Sequence, residues 1–189
     1  MRRETYFKIV KALILALEAR AYYIKDHSNR VTKYALLIGK KLTLPKPQIK
    51  LIKTIGLLHD LGKIALSDVI LNKKGVLTII ERRRIQLHPV IGAMILSNLG
   101  FLKEDIDIVR NHHERYDGNG YPDKLKKEDI PLLARIFSVA DAFDAMTSDR
   151  PYRKSMPIEE AMDEIAKNKS TQFDPFIADT FLSNPPKLQ

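Results

Sequence analysis

Apolar residues recur every three or four positions through most of this chain, and that spacing constrains the fold more than any other feature. In "RVTKYALLIGKKL" (30–42), Val31, Ala35, Ile38 and Leu42 are separated by four, three and four residues, which stacks them on one helical face. Ile49, Ile52, Ile55 and Leu58 repeat the pattern, as do Leu132, Leu133, Ile136, Val139, Ala140 and Phe143. Strand-like alternation is scarce. With 189 residues, the expectation is an all-α fold: a single compact helical domain with its own core. Helices are expected over 4–24, 28–42, from Pro47 to about 58, over 78–86, 89–99 (closed by Gly100), 104–112 and 131–147. Two more follow, one capped by Ser155 with Pro157 in its first turn, the other beginning near Pro175. Residues 115–130 hold Gly118, Gly120 and Pro122, too many breakers for a helix, and form a loop.

The N-terminal stretch "MRRETYFKIVKALILALEARA" starts basic, as a secretory leader does, but Lys8 and Lys11 interrupt it. The remaining apolar run, Ala12–Leu17, is too short for a leader core or a bilayer span. This predicts a cytoplasmic protein with no membrane insertion. Its first helix has apolar residues on most sides (Tyr6, Phe7, Ile9, Val10, Leu13, Ile14, Leu17), so it either packs on the body or makes a homodimer. Docking to a signalling partner is a further use of the same helix. There is no cysteine, so any metal must be held by nitrogen and oxygen. Net charge is +9, with the bases dispersed. That suits a solvated surface or a phosphate-bearing small molecule, and without interleaved aromatics it gives no face for long nucleic acid.

The five histidines are His27, His59, His88, His112 and His113, each placed near an expected helix end. One shared purpose explains them more economically than five separate packing roles, and imidazole is a common metal ligand. Asp60 follows His59 directly, and a carboxylate there can bridge two cations. Asp141 sits among Val139, Ala140, Ala142 and Phe143. Those neighbours make its burial the expectation, and a buried carboxylate needs a cation or strong hydrogen bonds; a salt bridge or an exposed face is the other reading.

The order His27, His59-Asp60, Asp141 resembles the HD superfamily of metal-dependent phosphohydrolases. "HDLGK" (59–63), His88-Pro89, "HHERYDGNGYP" (112–122) and "RPYR" (150–153) are similar to its HD-GYP branch, with "LTIIE" (77–81) and "FDP" (173–175) adding to the likeness. The resemblance covers 18–182, leaving 1–17 as an N-terminal helical extension and 183–189 as a tail. It implies a helical domain with a metal centre in its core that hydrolyses cyclic di-GMP to linear pGpG and on to GMP. By the same resemblance, His27, His59, Asp60 and Asp141 hold one metal, and His88, His112, His113 and bridging Asp60 hold its neighbour. Asp60 and Lys63 are then catalytic, and Lys63, Tyr121, Asp144, Arg150 and Arg153 meet the substrate. Lys63 can equally be read as a cation at a helix end, and Arg150 and Arg153 as a surface turn.

The chain departs from the family at two places: Asp26 stands where a glycine usually precedes the histidine, and Tyr23 stands where three-metal members carry a glutamate. A tyrosine is a poor ligand for a hard cation, which predicts two divalent metals, iron or manganese, with zinc as a third option. Two alternatives stay open: a receptor that binds cyclic di-GMP without cleaving it, and a phosphodiesterase for another cyclic dinucleotide.

Overall fold

The computed structural model describes residues 2–20, 22–149 and 154–183, with the side chains of 2–8, 10, 18 and 22–25 outside that description. Among the described residues ten α-helices are present: α1 Arg2–Arg20, α2 Tyr22–Lys41, α3 Lys46–Leu58, α4 Asp68–Leu71, α5 Ile79–Ile85, α6 His88–Asn98, α7 Lys103–Asn111, α8 Leu132–Thr147, α9 Ile158–Lys167 and α10 Pro175–Leu182. Short 3₁₀ turns span Leu61–Ala65 and Lys127–Asp129, and the described residues contain no strand. None of these helices is long and apolar enough to cross a membrane.

The periodic positions form the core. Val31, Ala35 and Ile38 of α2, Ile52, Ile55 and Leu58 of α3, and Ile136, Val139, Ala140 and Phe143 of α8 are all fully buried. Phe143 links the layers, meeting Tyr34 edge-on at 5.1 Å and Phe181 of α10 at 4.9 Å. Of α1, Leu17 is buried while Ile9 and Leu15 are exposed. A smaller cluster joins Leu17 to Leu66 and Leu71, with Ile64 and Ile85 against it.

Two close backbone approaches set the site. A Cβ on Gly56 would lie 2.9 Å from the Cβ of Thr32, so α2 and α3 meet with nothing between them. A Cβ on Gly62 would lie 1.9 Å from the His88 carbonyl oxygen and 2.6 Å from the Gly92 nitrogen. The turn after Asp60 therefore rests directly on the first turns of α6. Helix α6 ends as expected: Gly100 takes a positive φ of 77°, and the N–H groups of Gly100 and Phe101 close onto the carbonyls of Ser97 and Leu96.

Three expectations are corrected. His27 lies inside α2, which already includes Tyr22, rather than before the second helix. Ser155 does not cap α9; its N–H donates to Asp149 Oδ1, and the helix starts at Ile158 with Pro157 in the capping position. Asp141 is only partly buried, because it faces an opening rather than the core.

Candidate metal centre

Helix ends deliver most of the ligand candidates. His59 closes α3, Asp60 opens the following turn, His88 is the first residue of α6, and His112 and His113 follow α7. His27 comes from within α2, and Asp141 and Asp144 are one turn apart on α8. Asp60 is the shared member. Its Oδ2 lies 3.4 Å from His27 Nε2 and 3.6 Å from His59 Nε2, while its Oδ1 lies 3.2 Å from His88 Nε2. His88 Nε2 lies 3.4 Å from His112 Nε2. Two groups of donor atoms result, each within 4.8 Å of one another: His27, His59 and Asp60, and then Asp60, His88, His112 and His113. Asp141 reaches the edge of both, with Oδ1 3.3 Å from His27 Nε2 and Oδ2 3.9 Å from His113 Nδ1.

Three of the rings are fixed by the same device. The Nδ1 of His59, His88 and His112 each meets the carbonyl three residues earlier, on Gly56, Ile85 and Val109, at 2.8, 2.6 and 2.6 Å. A helix leaves its last carbonyls without intrahelical partners, so a histidine just past the end donates to one of them. That donation puts the proton on Nδ1 and turns the Nε2 lone pair inward, as a ligand imidazole requires. His59 Nε2 is buried and has no hydrogen-bond partner. A buried orphan nitrogen beside a carboxylate is costly unless it coordinates something, so this donor set fits a cation.

Charge follows the same layout. Burial, with His59 and His88 close by, pushes His112 down to about 3. Burial and the neighbouring His112 and His88 likewise hold His113 well below its ordinary value. His59 is lowered, chiefly by burial. Burial alone would raise Asp60, but Lys63, His59 and hydrogen bonds from His27 and His88 hold its carboxyl well below the usual range.

His27 differs. Its Nδ1 bonds Asp144 Oδ2 at 2.7 Å, and Arg30 grips the same carboxylate through Nε and Nη2. Burial opposes a charge on this ring, but the bonds to Asp144 and Asp60, with Asp141 nearby, raise it to about 9. Asp144, expected to meet substrate, is instead 1% exposed and spent on His27 and Arg30. The role of Arg30 is missed from sequence, although its place three residues after His27 was a signal.

The opening is walled by the "HHERYDGNGYP" loop. Tyr121 lies against His113, with ring centroids 5.0 Å apart, and its N–H donates to the His113 carbonyl at 3.3 Å. Buried Glu114 accepts from the N–H groups of Asp123 and Lys124 at 2.6 and 2.9 Å, which folds the loop back. A Cβ on Gly120 would lie 2.3 Å from the Arg115 nitrogen, so only glycine fits that fold. Lys63 Nζ lies 2.5 Å from Asp60 Oδ2 and is 14% exposed. Arg150 and Arg153 lie outside the described residues, as does the side chain of Tyr23.

The family profile of the HD domain matches residues 11–177. The chain is 37% identical, over 99% of its length and 49% of the relative's, to the cyclic di-GMP phosphodiesterase response regulator RpfG of Xanthomonas campestris. It is also 37% identical, over 88% of its length and 36% of the relative's, to 3'3'-cGAMP-specific phosphodiesterase 3 of Vibrio cholerae. The chain thus spans about half or less of these relatives. A solved HDGYP protein of Bdellovibrio bacteriovorus shares the fold with a TM-score of 0.71, at 21% identity over 95% of this chain and 61% of that one.

Proposed function

This chain belongs to the HD-domain family, and from that we propose that it is a metal-dependent phosphodiesterase that opens cyclic di-GMP to linear pGpG, with GMP as the product of a second cut. The observation that carries the reading is Asp60, whose two oxygens face two separate sets of imidazole nitrogens. We place His27, His59, Asp60 and Asp141 on one divalent metal and Asp60, His88, His112 and His113 on the other, with iron or manganese as the ions. Two such ions would lower the pKa of a bound water and neutralise charge on the phosphoryl oxygens.

The chain's own residues supply the rest. The carbonyl-anchored rings keep their lone pairs aimed inward before any ion arrives, so little reorganisation is needed. Lys63, beside Asp60, places an ammonium where a phosphodiester would approach, adding cationic stabilisation as charge builds on it. Tyr121 and its loop close one side of the opening against water. By the family resemblance, Arg150 and Arg153 would meet the substrate as well.

The test is direct. Protein purified without oxygen should carry about two equivalents of transition metal and, loaded with Fe(II) or Mn(II), convert cyclic di-GMP to pGpG on chromatography. No product with either ion under reducing conditions refutes the activity. Tight nucleotide binding without product would instead make it a receptor.

A further inference from the structure

The segment that joins α4 to α6 stands apart from the main core. Its helix, α5, is the one α-helix among the described residues with no buried residue. Apolar side chains gather there all the same: Val76 is 88% exposed, Ile79 74% and Ile80 69%, all within five positions. A Cβ on Gly75 would meet nothing within 4 Å, so this tip faces open space. Only its base is packed, where Leu71 and Ile85 join Leu17 and Leu66.

Charge at the tip has one sign. Residues 69–87 carry the bases Lys73, Lys74, Arg82, Arg83 and Arg84 against a single acid, Glu81. That acid is occupied within the segment. Its Oε2 lies 2.6 Å from Lys73 Nζ and accepts from the Thr78 N–H at 2.7 Å, while its own N–H donates to Thr78 Oγ1 at 3.2 Å. This capping box and ion pair fix the start of α5. Lys74 and the three arginines are exposed and make no ion pair among the described residues. Ile79, Ile80, Arg83 and Arg84 recur at helical spacing, so isoleucines and arginines share one side of α5.

A partner for this tip must offer apolar depth and anionic groups together. A second copy meeting it tip to tip would bring like charges together. The core of a protein interface favours aromatic anchors and buries an arginine only against a carboxylate placed for it; residues 69–87 hold no aromatic, and their arginines alternate with isoleucines. Single-stranded nucleic acid needs the same missing aromatics to stack its bases. An anionic bilayer surface supplies both parts without a fixed register. Aliphatic side chains enter the acyl boundary, while arginine and lysine stems reach back to the phosphates. We propose that Val76, Ile79 and Ile80, flanked by Lys74 and Arg82–Arg84, form a peripheral docking site for anionic phospholipid membranes. The site needs no spanning segment and is independent of the diester chemistry.

The test is sedimentation with vesicles of phosphatidylcholine alone or mixed with phosphatidylglycerol, at about 0.15 M salt, where long-range attraction is screened. The protein should bind the mixed vesicles and not the neutral ones. Changing Val76, Ile79 and Ile80 together to Gln leaves the net charge at +9 and should weaken binding about tenfold or more, with unchanged circular dichroism. Removing three charges elsewhere, by Lys40→Gln, Lys41→Gln and Lys53→Gln, should weaken it less. The chain has no tryptophan, so Val76→Trp gives a clean reporter. Its emission should shift to the blue on mixed vesicles and be quenched by brominated acyl chains, while Phe176→Trp on α10 should do neither. Absence of binding, an unshifted Val76→Trp, or equal weakening by the lysine variant makes any attraction one of net charge alone and overturns the site. Binding of soluble polyglutamate that the Gln variant loses in parallel makes the partner an acidic polypeptide, and overturns it too.

Discussion

His27 and His112 stand on opposite sides of Asp60, and different groups back their rings. The Asp144 carboxylate, held by Arg30, lies behind His27, and the Val109 carbonyl lies behind His112. Carboxylates surround the first ring and raise its proton affinity to about 9. Imidazoles and burial surround the second and lower it to about 3. Near neutral pH the metal-free protein therefore holds a proton at His27 and none at His112. An ion bound beside His27 would have to displace a proton, and one beside His112 would meet a ready lone pair. Both rings are buried, so burial alone does not separate them; carboxylates around His27 and imidazoles around His112 do.

Removing the member common to both sides should have the largest effect. Asp60→Ala should take metal content from about two equivalents to less than half of one, by elemental analysis, and lower diester turnover by about a thousandfold or more. A variant that still binds two ions would show that the halves do not depend on their shared carboxylate. Next come the separate substitutions His27→Ala and His112→Ala, each expected to remove about one equivalent. If both remove the same ion, measured with one half spectroscopically labelled by Co(II), the division into halves is wrong.

Asp144→Asn keeps the shape behind His27 but removes the charge. It should weaken one metal site by about ten- to a hundredfold and leave the other unchanged, read by competition with a chelator. Equal weakening of both sites would remove the distinction. The smallest effect is a pH profile of the metal-free protein. His27 is raised, so its contribution is fully present below pH 6.5 and is lost as pH rises through about 9. His112 is lowered, so its contribution is present above 6.5 and is lost as pH falls toward 3. The thermal midpoint should peak near pH 6.5 and fall by a few degrees on either side. In Asp144→Asn the alkaline decline should shrink and the acid one persist; the reverse would break the comparison.

Much of this was legible in sequence because the signals were local. Helical periodicity found α2, α3 and α8, and ordered motifs found the histidines and Asp60, which the structure brings together around one carboxylate. The misses came from geometry that spacing does not encode. No glycine or proline stands before Gly39, and α2 accordingly runs on through His27, which was expected to lie outside it. Asp144 follows Asp141 by three residues, which turns it about 60° around α8, toward α2 instead of the opening. The segment of Glu164, Asn168 and Gln172, which lines a pocket beside His113 and Asp141, carries no motif. It meets the histidine loop because the N–H groups of Tyr116 and Asp117 donate to the carbonyls of Gln172 and Thr171.

Arg20 hooks α1 onto the turn beside the centre. Its Nη1 donates to the Ile64 carbonyl at 2.6 Å, its Nη2 to the Leu66 carbonyl at 2.5 Å, and Nε and Nη2 both reach Asp68 Oδ1. Ile64 adjoins Lys63 in the chain. Arg20 thus ties the end of α1 to the same turn that carries the ammonium beside Asp60.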